Sequence, residues 1–330
     1  MLTQGTVGCQ QNADLVIGLV NNMPPAAMQA TDRQFAGLIA QASGGLSVRV
    51  RFFVNSASPT DIFSALPNCT DYEDLAALWD SDLDGLIVTG AEPRAEAITC
   101  EPFWPTMEKL AGWAAKRTLS TIWSCLAAHA VVFACDGIRR RSLNGKLSGV
   151  FGCVKASDHS LVRDAPPWWQ VPHSRYNGLD DEELRANGYD ILSCAPRGGA
   201  DMFAKQQGRS LFLFMQGHPE YGPDTLMREY RRDIRRFFVG DRIAYPDMPE
   251  AYFDDRAVSA LAALREQVLS GACSGISAAN DPACCGRLAP TWIEPAVRLY
   301  ERWLMELTAR KATARVVTPW QATALERAHP

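Results

Sequence analysis

The sequence has no apolar run long enough to cross a lipid bilayer. Its longest runs, at residues 15–20 and 211–215, are far shorter than the roughly 18 residues that a membrane helix needs. The first 14 residues are mostly polar and lack the basic stretch and apolar segment of a secretory signal peptide. We therefore expect a cytoplasmic protein without a membrane partner.

An excess of positive charge is also missing. The 33 Lys and Arg residues are outnumbered by 37 Asp and Glu residues, which gives a formal net charge of −4. The only long basic stretch is the arginine-rich one at residues 228–236, so nucleic acid is not an expected partner. A content of 47% hydrophobic and 21% charged residues is typical of a chain that buries a large core, which argues against disorder over most of its length.

The cysteine spacing found in disulfide scaffolds and zinc sites is absent as well. The cysteines form no CxxC pair and have no interleaved histidine ligands, so we expect no bound metal. Most of these thiols are interpreted as small hydrophobic side chains in a reducing compartment. The ten cysteines lie at positions 9, 69, 100, 125, 135, 153, 194, 273, 284 and 285.

Apolar segments alternate with segments of helical periodicity along the chain. Strands are predicted at 15–20, 48–54, 83–90, 118–123 and 209–216, and helices at 26–42, 59–66, 71–80, 103–116 and 126–134. Strands that are apolar on both faces and alternate with helices form parallel sheets that are covered on both sides. The sequence therefore predicts an α/β fold with a mostly parallel sheet and helices on both faces.

The character of the chain changes after about residue 150, where shorter strands and loops rich in Pro and Gly begin. We predict a catalytic domain over residues 1–249 and a C-terminal extension over residues 250–330. Within the extension, the pattern predicts helices at 251–269 and 292–308, a small-residue linker at 270–286 and a disordered tail. The helix at 292–308 is expected to pack on the core.

The first concentration of reactive chemistry is the segment Ser124-Cys125-Leu126-Ala127-Ala128, where a predicted strand runs straight into a helix. A cysteine on such a turn is exposed, and the backbone N–H groups at the helix N-terminus favour its thiolate. The small residues that follow let the turn pack against the sheet. The alternative is a buried core cysteine at a strand end, and this segment alone does not decide between the two.

The second is Gly217-His218-Pro219-Glu220, at the end of the last apolar strand. A histidine two residues before a carboxylate, with proline fixing an extended geometry, can take a thiol proton while the carboxylate orients the imidazole. The alternative is a loop histidine with a solvated glutamate. Because the ends of parallel strands converge on one site, we predict a catalytic triad of Cys125, His218 and Glu220.

A cysteine at a strand-to-helix turn with a late His-Pro-Glu motif resembles the class I glutamine amidotransferase superfamily, which has a flavodoxin-like core. Within it, the chain is most similar to the homoserine O-succinyltransferase family, through segments that keep their order over roughly residues 15–306. These segments are Asn22-Met23-Pro24, Asp84-Gly85-Leu86-Ile87-Val88-Thr89-Gly90-Ala91, Trp104-Pro105, Lys146-Leu147-Ser148-Gly149-Val150, Pro172-His173-Ser174-Arg175-Tyr176, Gly217-His218-Pro219-Glu220-Tyr221 and Trp303-Leu304.

The resemblance implies an acyltransferase that needs no bound cofactor and uses acyl-CoA as a co-substrate. In this scheme the Cys125 thiolate attacks the thioester, CoA leaves, and the hydroxyl of L-homoserine takes the acyl group from the enzyme. His218 acts as the base in both steps. Donors for the oxyanion are expected at the backbone N–H groups of Leu126 and Ala91. A homodimer is also expected.

The resemblance further implies that Lys146, Ser174, Arg175 and Arg232 bind substrate, with Arg232 holding the substrate carboxylate. The residues themselves leave alternatives open. Arg232 lies about 120° from the apolar stripe of its helix, among four other arginines, so it could belong to a solvated basic face. Lys146 could be an ordinary surface lysine.

Two positions depart from the family pattern. Arg94 stands where succinyl users of the family typically carry Gly and acetyl users carry Glu. Its guanidinium could bind the distal carboxylate of a succinyl group, or it could pair with Glu92 or Glu96 and shape the loop. His129 replaces a Gln four residues after the nucleophile, where it could support the thiolate or be a packed, hydrogen-bonding replacement for the amide.

The expected reaction is therefore acylation of the homoserine hydroxyl, with succinyl-CoA as the favoured donor because of Arg94. Alternatives on the same triad are a homoserine or serine O-acetyltransferase that uses acetyl-CoA, and a glutamine amidotransferase or hydrolase. The amidotransferase is disfavoured because no glycine precedes Cys125 and no synthetase domain accompanies it. A non-enzymatic sensor is disfavoured by the intact triad.

Overall fold

The apolar segments of the sequence become the strands of one sheet. The structure is a computed structural model that describes residues 13–54, 72–273, 275, 281 and 286–325, with side chains described up to residue 314. Ten strands lie within these residues and belong to a single sheet. They are β1 (Leu15–Asn21), β2 (Val48–Val54), β3 (Tyr72–Asp74), β4 (Gly85–Val88), β5 (Ser120–Ser124), β6 (Arg141–Lys155), β7 (Trp168–Gly178), β8 (Asp190–Ala195), β9 (Gly199–Gln207) and β10 (Ser210–Met215).

The sheet has a parallel part and an antiparallel part. Neighbouring strands are parallel in the order β3-β2-β1-β4-β5-β10. The order then continues through β9, β8, β6 and β7, in which neighbours are antiparallel. The predicted α/β fold with a mostly parallel sheet is confirmed, and the shorter strands expected after residue 150 form its antiparallel part.

Helices cover both faces of the sheet. In the described part of the chain they are α1 (Pro25–Ala42), α2 (Trp104–Arg117), α3 (Leu126–Asp136), α4 (Asp181–Ala186), α5 (Thr225–Phe238), α6 (Asp255–Leu269) and α7 (Ile293–Leu325). Strand β10 shows the two-residue period of a strand covered on both sides. Phe212 and Phe214 pack in one core with α2 and α3, and Leu211 and Leu213 pack in the other with α1 and α7. Among the described residues, no helix combines the length and apolarity needed to cross a membrane.

The last helix packs directly on the centre of the sheet. Trp303 is fully buried, and its Nε1 donates to Ser120 Oγ at 3.0 Å. A Cβ on Gly85 would lie 2.9 Å from a methyl of Leu307, so a glycine at this position lets α7 contact β4. Helix α7 continues to Leu325, beyond the predicted end at 308, because good helix formers such as Ala, Arg and Lys follow. The predicted domain division at residue 249 stays a prediction.

The segment after β2 differs from its prediction. The helix predicted at 71–80 is wrong, because Tyr72–Asp74 pair with β2 as an edge strand and a 3₁₀ helix, Leu75–Leu78, follows. The open edge of β2 offers unpaired N–H and C=O groups, and pairing with them outweighs a weak helix preference. The helix predicted at 59–66 and most of the linker predicted at 270–286 lie outside the described residues.

Candidate active site

Cys125 lies at the tip of a sharp turn between β5 and α3. Its φ of 51° and ψ of −111° fall outside the regions that residues with a side chain normally adopt, and such a conformation costs about 1–3 kcal/mol. The Cys125 N–H donates to Met215 O at 2.7 Å. On the other side, a Cβ on Gly90 would lie only 2.8 Å from Leu126 N. The end of β10 and a glycine without a side chain therefore hold the turn in place.

His218 and Glu220 follow β10 and meet this turn. The His218 N–H donates to Pro172 O at 2.7 Å, and His218 Nδ1 lies 2.8 Å from Glu220 Oε1. The Cys125 sulfur lies close enough to the imidazole to raise its pKa, and the imidazole stacks on Tyr221, with ring centroids 4.3 Å apart. The structure thus brings the three residues of the predicted triad together.

The electrostatics of this group favour a charged imidazole. Burial alone lowers the pKa of His218, but the Glu220 carboxylate and the Cys125 sulfur outweigh burial and hold the pKa well above the usual value of 6.5. A protonated His218 beside Cys125 stabilises a thiolate. The positive charge of the imidazole thus lies next to the nucleophile.

The triad opens into a cavity of about 110 Å³, which we call the catalytic cavity. It lies between the Cys125 turn, α1, β7 and α5. Among the residues predicted for the site, those that line it outside the triad are Ala91, Leu126, Lys146, Ser174, Arg175 and Arg232. Arg94 is not a lining residue, whereas Glu92 of the same loop is.

Two acidic side chains of α5 organise one wall of the catalytic cavity. Lys146 Nζ lies 2.9 Å from Asp233 Oδ2 and 3.5 Å from Glu229 Oε2, and Arg232 Nη2 lies 2.9 Å from Asp233 Oδ1. Burial raises the pKa of Asp233, but Lys146 and Arg232 outweigh burial and lower it. Lys146 is therefore a partly buried, paired cation of the site and not an ordinary surface lysine.

Glu229 also connects this wall to the triad, and the sequence analysis missed it. The Ser174 hydroxyl donates to Glu229, and Tyr221 OH donates to Glu229 Oε1 at 2.6 Å. Glu229 and Asp233 are four residues apart, so they lie on one face of α5. The four-residue spacing of these two acids within an arginine-rich segment is the sequence feature that could have predicted Glu229 as a residue of the site.

Arg175 lines the cavity but uses its donors inside the protein. Its Nη1 donates to Asn177 O at 2.7 Å and to Gln216 Oε1 at 3.2 Å, and its Nη2 donates to Gly198 O at 2.6 Å. Burial lowers the pKa of Arg175, while the nearby Cys125 raises it. The guanidinium therefore holds β7 in place and puts a positive charge near the nucleophile, and the predicted contact of Arg175 with substrate stays a prediction.

His129 is buried next to the same glutamine. Its Nε2 lies 2.9 Å from Gln216 Oε1, and the Gln216 amide N–H donates to Ala200 O. Burial lowers the pKa of His129 to about 4, so the imidazole is neutral near neutral pH. Of the two interpretations, the structure supports a packed, hydrogen-bonding replacement for an amide. His129 supplies no positive charge to the thiolate.

The loop that carries Ala91 is fixed by a buried carboxylate. Glu101 accepts hydrogen bonds from the N–H of Arg94 and the N–H of Ala95, each at 3.1 Å, and it pairs with Arg140 at 3.3 Å. The loop is thus held through the backbone of Arg94, and the exposed Arg94 side chain lies outside the catalytic cavity. The substrate-binding role predicted for Arg94 stays a prediction.

Three buried side chains next to Gly217 have the atom types of a metal site. Potential ligand atoms of Cys153, His173 and Asp201 lie within 4.8 Å of one another. Burial and the Asp201 carboxylate raise the pKa of the Cys153 thiol, so the thiol keeps its proton. His173 Nδ1 accepts a hydrogen bond from Arg175 Nε, which leaves the imidazole proton on Nε2, 3.3 Å from Asp201. An arginine bonded to the second imidazole nitrogen opposes cation binding, so the cluster suits a metal poorly.

Comparisons with known proteins agree on one family. A sequence model of the homoserine O-succinyltransferase family matches residues 1–312. The chain is 44% identical over 302 residues to the homoserine O-succinyltransferase of Rhodopseudomonas palustris, covering 89% of this chain and 88% of that one. It is 41% identical over 305 residues to the homoserine O-succinyltransferase of Methylorubrum extorquens, covering 91% and 89%.

Solved structures show the same type of fold. A glutamine amidotransferase from Thermotoga maritima superimposes with a TM-score of 0.51 at 12% identity, over 90% of this chain and 99% of that one. A glutamine amidotransferase from Methylobacillus flagellatus gives a TM-score of 0.50 at 14% identity, over 91% and 94%. At this level of identity the likeness concerns the fold alone, and it confirms the expected glutamine amidotransferase-like core.

The charge of Glu220 can be tested through the reactivity of Cys125. Replacing Glu220 with Gln removes a charge that raises the pKa of His218, so less thiolate should be present near pH 7. We expect alkylation of Cys125 by iodoacetamide to slow roughly ten-fold, equivalent to one pKa unit. Peptide mass spectrometry separates Cys125 from exposed thiols such as Cys100. Glu294→Gln, on the exposed side of α7, is the matched control, and an unchanged rate in Glu220→Gln would remove Glu220 from the triad.

Proposed function

The chain belongs to the homoserine O-succinyltransferase family, and we propose that it transfers the succinyl group of succinyl-CoA to the side-chain hydroxyl of L-homoserine through a thioester on Cys125. The observation that carries the proposal is the environment of this thiol. Cys125 has a strained backbone at a strand-to-helix turn and lies beside an imidazole whose pKa is raised. A nucleophile prepared in this way suits acyl transfer.

In the first half-reaction, the Cys125 thiolate attacks the carbonyl carbon of the thioester. The C–S bond to CoA then breaks, protonated His218 gives its proton to the departing CoA sulfur, and the succinyl group remains on Cys125. Glu220, 2.8 Å from His218 Nδ1, keeps the imidazole oriented throughout. His218 is left neutral and ready to act as a base.

Two backbone N–H groups support the oxyanion that forms in this step. Leu126 is the first residue of α3, where N–H groups have no partner within the helix. Ala91 follows Gly90, which lies against the Cys125 turn. Neither N–H donates to another group in the part of the chain that the structure describes. Both can therefore donate to a negatively charged oxygen at the nucleophile.

In the second half-reaction, neutral His218 takes the proton of the homoserine hydroxyl as its oxygen attacks the thioester on Cys125. The C–S bond breaks, O-succinyl-L-homoserine leaves, and the thiolate is restored beside a protonated imidazole. The scheme is of the ping-pong type, with succinyl-CoA as a co-substrate and no resident cofactor. A cytoplasmic location and a homodimer remain our expectations, and light scattering measures the latter.

The wall formed by α5 supports recognition of the carboxylate of homoserine. Glu229 and Asp233 contact three cations there, because Arg242 Nη1 also lies 3.8 Å from Asp233 Oδ2, beside Lys146 and Arg232. Glu92, which also lines the cavity, pairs with Arg236, so this wall holds four cations and three carboxylates and keeps a net positive charge. Arg232 lines the cavity with a side chain that is 42% exposed, which leaves its guanidinium able to bind a second carboxylate.

The preference for succinyl-CoA over acetyl-CoA rests on the relatives and not on Arg94. We expect Arg94→Ala to leave the ratio of kcat/KM for succinyl-CoA and acetyl-CoA within about three-fold of wild type, since an exposed charge outside the cavity contributes little. Steady-state kinetics with both donors at saturating homoserine measure this ratio. A selective loss of ten-fold or more with succinyl-CoA would place the Arg94 guanidinium on the bound succinyl group.

The nucleophile is tested by Cys125→Ser. We expect acyl transfer to fall roughly 10³-fold or more, because loss of the nucleophile removes the covalent route. Free CoA and O-succinylhomoserine are measured in parallel, with the exposed thiol variant Cys100→Ser as the control. Activity above a few per cent of wild type would exclude a thioester on Cys125. Ammonia release from glutamine by the wild type, without acyl transfer, would favour an amidotransferase.

A further inference from the structure

A second and larger cavity adjoins the catalytic cavity on the far side of Tyr221. This outer cavity has a volume of about 320 Å³, against about 110 Å³ for the catalytic cavity. It lies between α1, the loop at residues 219–224 and the first turns of α5 and α7. The two cavities share Gln34, Glu220 and Tyr221 as lining residues. They are therefore neighbours, and the triad glutamate lines both.

The catalytic cavity is too small for a whole acyl-CoA molecule. Pockets that enclose a drug-sized ligand begin at roughly 300 Å³, and CoA is larger than such a ligand. The catalytic cavity can hold the succinyl group and homoserine, but the pantetheine arm and the nucleotide of the donor must extend beyond it. A long donor therefore needs a second surface beside the triad.

The lining of the outer cavity includes two arginines, Arg33 of α1 and Arg228 of α5. Arg33 makes no ion pair with any residue that the structure describes. Arg228 lies 3.8 Å from Asp224 Oδ2, while Asp224 Oδ1 is bound more closely, at 2.7 Å, by Arg287. Both guanidinium groups are thus available to an anionic ligand. Arginine is well suited to phosphate because it can donate two parallel hydrogen bonds.

Two of the residues that line both cavities, Gln34 and Tyr221, lie between the outer cavity and the triad. Gln34 of α1 reaches across to α5, where its Nε2 donates to Thr225 Oγ1 at 2.6 Å. Tyr221 stands beside it and stacks on His218. An extended chain that passes these two side chains arrives at the imidazole and the thiol of the triad.

We infer that the outer cavity binds the phosphorylated nucleotide of the acyl-CoA donor, with Arg33 and Arg228 contacting its phosphates and the pantetheine arm passing Gln34 and Tyr221 to reach Cys125. This inference rests on the proposed function, because it assigns the remainder of the same donor molecule. In this assignment the outer cavity contributes to the binding affinity for the donor. The acyl chemistry stays with the triad.

The test compares a full donor with a shortened one. Succinyl-CoA and S-succinyl-N-acetylcysteamine, which lacks the nucleotide, are assayed with wild type, with the double variant Arg33→Gln and Arg228→Gln, and with Arg235→Gln. Arg235 is an exposed arginine of α5 outside both cavities, so its variant is the matched control. We expect the KM for succinyl-CoA to rise roughly ten-fold in the double variant alone, as two solvent-facing charge contacts would produce. The kcat, the KM for homoserine and the kinetics with the shortened donor should stay unchanged.

An equal effect on both donors, or none on succinyl-CoA, would overturn the inference while leaving the proposed function intact. A direct binding measurement distinguishes failure of this inference from failure of the proposed function. Calorimetry should show that adenosine 3′,5′-bisphosphate binds wild type and the Arg235 variant and binds the double variant about ten times more weakly, whether or not acyl transfer is observed. Equal binding to all three proteins, or to none, would contradict the inference. The inference would also be contradicted if inorganic phosphate competed with succinyl-CoA as strongly as the bisphosphate does, because the outer cavity would then be a general anion site.

Discussion

The backbone of Cys125 can be held at a positive φ only if the segments on both sides of it are fixed, and the centre of the sheet meets this requirement. Strands β4, β5 and β10 are parallel neighbours, so their C-terminal ends meet at one place. There, Gly90 follows β4, Cys125 follows β5, and Met215 ends β10 and accepts the Cys125 N–H. The fully buried Trp123 anchors β5 against Phe212 of β10. The contacts that stabilise the sheet thereby keep a strained nucleophile in position.

The acidic residues of α5 connect that nucleophile to the wall of the catalytic cavity. Glu229 accepts from Tyr221, which stacks on His218, and it shares Lys146 with Asp233. Because the two acids are four residues apart on α5, one face of this helix contacts both Tyr221 and the cations Lys146 and Arg232. The pKa of Asp233 is lowered by those cations, so the acid stays ionised and the wall keeps its arrangement near neutral pH.

The fold and the triad could be predicted from the sequence because both depend on patterns along the chain. Apolar runs mark strands, and a cysteine and a histidine at strand ends must converge in a parallel sheet. No pattern in the sequence indicates the direction in which an arginine side chain points. Arg175 turns to Gln216 and Gly198, and the loop at Arg94 is held through its backbone by Glu101. Glu229 was missed because its partners, Ser174 and Lys146, come from distant strands.

The claim on which this account depends is that Cys125 carries the succinyl group between donor and acceptor. Rapid mixing of the enzyme with succinyl-CoA, in the absence of homoserine, tests it most directly. The account predicts a fast release of free CoA equal to the amount of enzyme, followed by formation of O-succinylhomoserine when homoserine is added to the isolated protein. Release of CoA only after homoserine is added would contradict it, because the acyl group would then pass directly from donor to acceptor.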